Sequence, residues 1–137
     1  MKIDAKLENL SVIAGFILRS MKQLGIETAI SEIQTAVDEA CTNVIKHAYS
    51  EKGGIINITC AMQDNNFVVT IRDKGKPFDP YSVPPPDLEA DFDKRRIGGL
   101  GIYMMRTLMD DVSYSFDAAE GNTLVMKKIL TGNRPEH

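Results

Sequence analysis

No apolar stretch in these 137 residues approaches the roughly 20 needed for a bilayer-spanning helix. The N-terminus also lacks the basic, apolar and small-residue order of a secretion signal, so the expected location is cytoplasmic. Cysteine and histidine are scarce. Cys41 and Cys60 do not have Cys-x-x-Cys spacing, and with only His47 and His137 beside them they make no convincing zinc site. A disulfide between them would need Cα atoms within about 7 Å and would be opposed by a reducing cytosol, so free thiols are expected. Positive charge is neither in excess nor gathered. The net charge is −3 and basic residues alternate with acidic ones, which excludes an extended nucleic-acid surface and a polybasic membrane anchor. What is present, 43% hydrophobic and 26% charged residues, is the composition of an ordinary globular chain. Its length suits one domain over 1–137 with a single core.

The hydrophobic pattern divides this length into elements. Residues 1–6 alternate weakly and predict a short edge strand. From Leu7 to Leu24, Leu10, Ile13, Ala14, Ile17, Leu18 and Met21 recur at spacings of three and four, a helix with one buried stripe, and Gly25 ends it. A second helix is predicted from 28–31 to Tyr49, with Ser31-Glu32-Ile33-Gln34 spaced as a capping box and a core stripe of Ile33, Val37, Ala40, Cys41, Val44 and Ala48. Residues 55–62 and 66–72 read as strands of a hairpin around Asp64-Asn65. The segment 76–97 holds five prolines and many charges, the composition of a functional lid or a disordered stretch. Then come Gly98-Gly99-Leu100-Gly101, a helix with Ile102, Met105, Leu108 and Met109 inward, a second hairpin over 111–116 and 123–129, and a polar tail at 131–137. Helix, helix, hairpin, lid, helix, hairpin predicts an α+β two-layer sandwich, helices packed on one face of a mixed, mostly antiparallel sheet.

Three places could carry chemistry. Asp73-Lys74-Gly75 follows the strand Asn66 to Ile71. A carboxylate at a strand end before a glycine aims one acceptor into a pocket and lets a ligand approach the backbone, which suits a base with an exocyclic amine such as adenine; a plain turn uses the same residues. Glu39, Asn43 and His47, four apart, form a polar stripe beside the core stripe of the second helix. It is either a solvated face or a metal–phosphate site in which Asn43 offers a neutral oxygen to a hard cation and Glu39 polarises a hydroxyl or water. The glycines at 98–101, just ahead of a helix, offer backbone N–H groups and the helix dipole to phosphate; a hinge at a helix start has the same composition. No Walker-type Gly-Lys-Ser/Thr accompanies them, and nothing around them suggests a parallel βαβ unit.

Taken together, Glu39-x-x-x-Asn43, Asp73-x-Gly75, Gly99-x-Gly101 and Gly121-x-Thr123 come in the order of the four nucleotide boxes of the ATPase superfamily shared by gyrase, histidine kinases and mismatch-repair proteins, which the chain resembles over about residues 7 to 130. Within it, Asp38-Glu39-Ala40-Cys41-Thr42-Asn43, Lys46-His47-Ala48-Tyr49 and Arg95-Arg96-Ile97-Gly98-Gly99-Leu100-Gly101-Ile102 resemble the anti-sigma-factor serine/threonine kinases of partner-switching systems. The resemblance implies ATP and Mg²⁺ as cofactors, with Asn43 on the metal and Glu39 as general base. It implies Asp73 on the adenine amine, Gly75 admitting the purine and Thr123 supporting the same edge. Gly99, Leu100 and Gly101 would face the phosphates, Lys46 and His47 the rim, and Arg95 or Arg96 a phosphate across the lid. It further implies a small antagonist protein as substrate, a sigma-type transcription factor as sequestered partner, and a homodimer. The first helix holds no histidine, so the chain has no phosphoacceptor of the sensor-kinase type. A nucleotide-gated binding module without phosphotransfer is the alternative.

Overall fold

The computed structural model describes residues 1–79 and 99–130. A short strand β1 (Lys2–Asp4) leads through a 3₁₀ turn (Leu7–Asn9) into α1 (Leu10–Gln23). Its inward residues Ile13, Ile17 and Met21 stand four apart and are fully buried, whereas Leu10 and Ala14 are half-buried. Leu18, expected in the stripe, is instead 46% exposed, because it is turned well round the helix from the Ile13–Ile17–Met21 line. Gly25 ends α1 with φ +73°. Its N–H reaches the Lys22 carbonyl and the Ile26 N–H the Met21 carbonyl, both orphan acceptors of the last turn.

The second helix, α2 (Ile30–Asn43), starts without the predicted capping box. Its N-cap is Ala29, held at φ +59° with no side-chain cap, so Ser31 already lies inside the first turn. Gln34 instead donates to the Ala14 carbonyl at 3.3 Å and ties α2 to α1. After Asn43 the helix widens into a π turn (Val44–Ala48), with the Tyr49 N–H reaching back five residues to the Val44 carbonyl. The predicted core stripe, from Ile33 to Ala48, is buried along its whole length.

Strands β2 (Ile55–Gln63) and β3 (Asn66–Asp73) form the first hairpin, with Asp64 at φ +57° in its turn, and β4 (Asp111–Asp117) and β5 (Gly121–Ile129) form the second. The strand order is β1-β2-β3-β5-β4, and every described pairing is antiparallel rather than mixed. The third helix, α3 (Gly99–Leu108), precedes β4 and packs on α2.

Strand alternation sorts the residues of the sheet into two faces. Ile58, Ile71 and Leu124 are paired across β2, β3 and β5, as are Cys60, Val69 and Met126; these rows turn toward the helices. The intervening rows, such as Asn57, Arg72, Thr123 and Ser115, turn to the open face. Each large side chain buried between the layers, Phe67 or Ile71 for example, contributes about 1.5–3 kcal/mol. The core rows run out at one end of the sheet, where the next row on the same face reads Ile56, Asp73 and Asn122.

Candidate nucleotide site

Among the described residues three polar side chains are buried, Asn43, Asp73 and Asn122, and all three line one cleft. The cleft lies between α2 with its π turn and the ends of β3 and β5. Ala40, Val44, Ala48, Ile71, Met105 and Leu124 form its apolar walls, and Phe78 and Tyr114 stand among its lining residues. Burying a polar group without a partner costs about 1–3 kcal/mol, so three converging on one apolar cleft need partners close by or a ligand.

Asp73 is reached by strand parity: it continues the inward row Phe67, Val69, Ile71. Its Oδ1 accepts the Gly75 N–H at 2.9 Å and the Asn122 amide at 2.8 Å. Burial pushes its carboxyl above the ordinary range, while those two hydrogen bonds pull the other way. With Oδ1 engaged twice, Oδ2 is the acceptor left for a ligand.

Gly75 has a role beyond the one expected. A Cβ there would lie 2.4 Å from the Ala48 carbonyl oxygen, and the Lys76 N–H donates to that same oxygen at 2.9 Å. The glycine lets the turn after β3 press against the π turn of the helix. Gly121, at φ +87°, makes a comparable approach, since a Cβ would meet the Asp73 carbonyl oxygen at 2.2 Å. From the other side the Tyr49 hydroxyl accepts the Lys74 N–H at 2.7 Å and donates to the Ile55 carbonyl at 2.8 Å. The strand end that carries Asp73 is therefore clamped between two backbone elements.

Asn43 is 8% exposed, so the polar stripe is not wholly off the core as its spacing suggested. Its amide has no hydrogen bond to another side chain or backbone group among the described residues and faces the cleft. An unengaged amide oxygen open to the cleft is a fitting neutral ligand for a hard cation. No group of three His, Cys, Asp or Glu side chains among the described residues could hold a metal alone, so phosphate oxygens would have to complete such a shell. Glu39 stands one turn earlier on α2, half-buried and outside the cleft lining. Burial raises its carboxyl above the ordinary range, Asp38 adds to the rise and Lys46 opposes it. Lys46 is exposed, and half-buried His47 stacks on Phe78 at 4.8 Å between ring centroids.

Thr123 is a correction. It pairs with Arg72 and Ser115 on the open face of the sheet, away from Asp73, because one step along a strand reverses the side-chain direction. The residue on the Asp73 face is its neighbour Asn122, and the alternation of Leu124 and Met126 already carried that signal. Tyr114, whose hydroxyl donates to the Asn122 side-chain Oδ1 and accepts the Phe78 N–H at 3.0 Å, is a further residue that the sequence reading does not single out. The glycine cluster is shifted as well: Gly99, Leu100 and Gly101 form the first turn of α3 rather than a loop before it. Residues 80–98, with most of the expected lid and Arg95, Arg96 and Gly98, lie outside the described residues, as does the tail from 131. Cys41 is buried and Cys60 half-buried, and both are free thiols as expected. Among the described residues no helix is long and apolar enough to cross a membrane.

Comparison with known proteins gives the family of the chain. Residues 3–128 match the family described as the histidine kinase-like ATPase domain. The chain is 32% identical to serine-protein kinase RsbW of Bacillus thuringiensis (strain Al Hakam) over 142 aligned positions, covering 100% of this chain and 88% of the relative. RsbW of Bacillus anthracis gives the same identity and coverage. A crystal structure of the RsbU and RsbW domains of Rv1364c from Mycobacterium tuberculosis superposes with a TM-score of 0.62 at 18% identity, over 95% of this chain and 32% of that longer one. The class is thus a serine/threonine protein kinase on an ATPase scaffold. The chain belongs to the histidine kinase-like ATPase family, in its anti-sigma-factor serine kinase branch.

Proposed function

We propose that this kinase uses ATP and Mg²⁺ to phosphorylate a serine or threonine of a small antagonist protein, and that it holds a sigma-type transcription factor when the antagonist is phosphorylated. The observation that carries the reading is the convergence of the three buried polar residues Asn43, Asp73 and Asn122 on one otherwise apolar cleft. Such a cleft suits a flat base with a polar edge. Asp73 Oδ2 would accept the adenine amine, and the apolar walls would take the ring faces.

The phosphates would run from this cleft between Asn43 and the first turn of α3, where the backbone N–H groups of Gly99, Leu100 and Gly101 and the helix dipole favour negative charge. Asn43 would hold Mg²⁺ through its amide oxygen, and the metal would neutralise phosphate charge there. Lys46 and His47, and by resemblance Arg96, would border the site. Glu39 would take the proton of the substrate hydroxyl as its oxygen bonds to the γ-phosphorus and the bond to ADP breaks. Its raised basicity, with burial the leading cause, suits that step. Phosphoryl transfer otherwise asks for positioning and charge stabilisation. By the same resemblance the working unit would be a cytoplasmic homodimer.

The test is to capture ATP-dependent partners from native extract, then incubate the purified smaller partner with γ-labelled ATP and Mg²⁺. Label on serine or threonine with the parent protein, and its loss in Glu39→Gln with partner binding kept, is the expected result. A partner held in an ATP-dependent way but never labelled would refute the phosphotransfer reading.

A further inference from the structure

Asn122 sits between two kinds of acceptor. Its Nδ2 donates to Asp73 Oδ1 at 2.8 Å and to the Lys76 carbonyl at 2.9 Å, and the Gly75 carbonyl stands at 3.4 Å. A side-chain amide carries two hydrogens, so three acceptors share two donors, and an ionised carboxylate is the strongest competitor. On its other side the Asn122 side-chain Oδ1 accepts from the Tyr114 hydroxyl, whose oxygen accepts the Phe78 N–H. A hydrogen-bonded chain therefore runs from the base-facing carboxylate to the backbone of 75–78, and the stack of Phe78 on His47 fastens its far end.

We propose that Asn122 and Tyr114 are positioning residues that couple occupation of the base pocket to the segment 75–78. The inference rests on the reading of the cleft as a nucleotide site. A base amine donating to Asp73 supplies part of what the carboxylate draws from Asn122. The Asn122 hydrogens then serve the Gly75 and Lys76 carbonyls more fully, and 75–78 tightens on the sheet. Tyr114 carries the effect to Phe78, because its hydroxyl is the acceptor of the Phe78 N–H. The trigger is the base, not the phosphates.

Linkage makes the coupling reciprocal: the factor by which the base tightens the segment is the factor by which the segment tightens the base. The test is amide hydrogen exchange at Phe78 in the full chain, with adenosine or with Mg²⁺-tripolyphosphate, in the parent and in Tyr114→Phe, with adenosine affinity measured by calorimetry. In the parent, adenosine should slow Phe78 exchange roughly three- to tenfold, the scale of one hydrogen bond, and tripolyphosphate should leave it unchanged. In Tyr114→Phe adenosine should still bind, weakened by about the same factor, and the slowing should vanish. A structural role alone would speed Phe78 exchange equally with and without adenosine and keep their ratio, which overturns the proposal. So does adenosine that binds the parent without slowing Phe78. Asn122→Ala should also remove the slowing; if that variant does not fold, Tyr114→Phe decides alone. Failure of both adenosine and ATP to bind the parent would instead remove the nucleotide reading, and the coupling with it.

Discussion

Replacing Asp73 by asparagine tests the base pocket at a single atom. Asp73 Oδ1 accepts two hydrogen bonds, from the Gly75 N–H at 2.9 Å and the Asn122 amide at 2.8 Å. An asparagine must keep its carbonyl oxygen at that place, because the flipped amide would aim hydrogens at two donors. Its NH₂ group then takes the position of Oδ2 and faces the adenine amine, donor against donor. The loss is that of a charge-assisted hydrogen bond, about 1.5–3 kcal/mol or roughly 10- to 150-fold in Kd. Guanine presents a carbonyl where adenine presents the amine, so the same NH₂ would donate to it, and the preference for ATP over GTP should narrow or invert. The fold should not suffer. Burial holds the Asp73 carboxyl above its ordinary range, so between the ordinary and the raised value the folded state binds more protons than the unfolded one. The parent therefore loses stability as pH rises through that window, and the loss persists at neutral pH. Asparagine keeps both accepted bonds without the charge, so Asp73→Asn should melt at or above the parent temperature at pH 7. Calorimetry with Mg·ATP and Mg·GTP, beside thermal denaturation, reads both effects. A folded variant with undiminished ATP affinity, or with an unchanged ATP to GTP ratio, would refute the reasoning.

Asn43→Ala should abolish the Mg²⁺-dependent part of ATP affinity while unfolding free energy changes by less than about 1 kcal/mol, since the amide has no described partner to lose; titrations with and without Mg²⁺ and denaturant curves check this. Gly75→Ala forces a Cβ to within 2.4 Å of the Ala48 carbonyl oxygen, so it should destabilise the fold by about 1–3 kcal/mol in a urea melt and weaken ATP binding with it. For Glu39, whose active form is the carboxylate, phosphotransfer should rise with pH through a value above the ordinary glutamate range. Lys46→Ala should move that limb higher still, and Glu39→Gln should cut the rate by roughly 10²-fold or more with ATP binding kept. A pH–rate profile with the acid limb in the ordinary range would count against Glu39 as the base.

What was legible in the sequence follows the strength of each periodic signal. The buried stripe of α2 and the hairpin β2–β3 were readable because apolar residues recur at the helical or strand period over several turns or pairs. Strand alternation puts Asp73 on the inward face for the same reason. Thr123 went wrong by a single position: a short Gly-x-Thr pattern names residue types but not strand parity, and parity decides which side chain reaches the carboxylate. Asn122 and Tyr114 were invisible to motif reading because their roles exist only across the β3–β5 and β4–β5 pairings, far apart in the chain. The capping box at Ser31 failed because the chain enters α2 through Ala29 at positive φ, a tertiary choice that no local preference signals. Leu18 shows the opposite limit, since an apolar residue near a stripe need not lie in it.

The π turn joins the helix to the loop after β3. A regular α-helix through Tyr49 would send its N–H to Ile45; here it reaches back to Val44, and the Glu51 N–H takes the Ile45 carbonyl. In the last turn of a helix the carbonyls lack intrahelical partners, and the Ala48 oxygen finds one in the Lys76 N–H at 2.9 Å. That bond joins the helix bearing Glu39 and Asn43 to the loop bearing Gly75, and it forms only because residue 75 has no Cβ to strike Ala48. The widened turn therefore does more than end a helix. It sets the distance between the end proposed to hold metal and phosphate and the end proposed to hold the base, with one backbone oxygen at the joint.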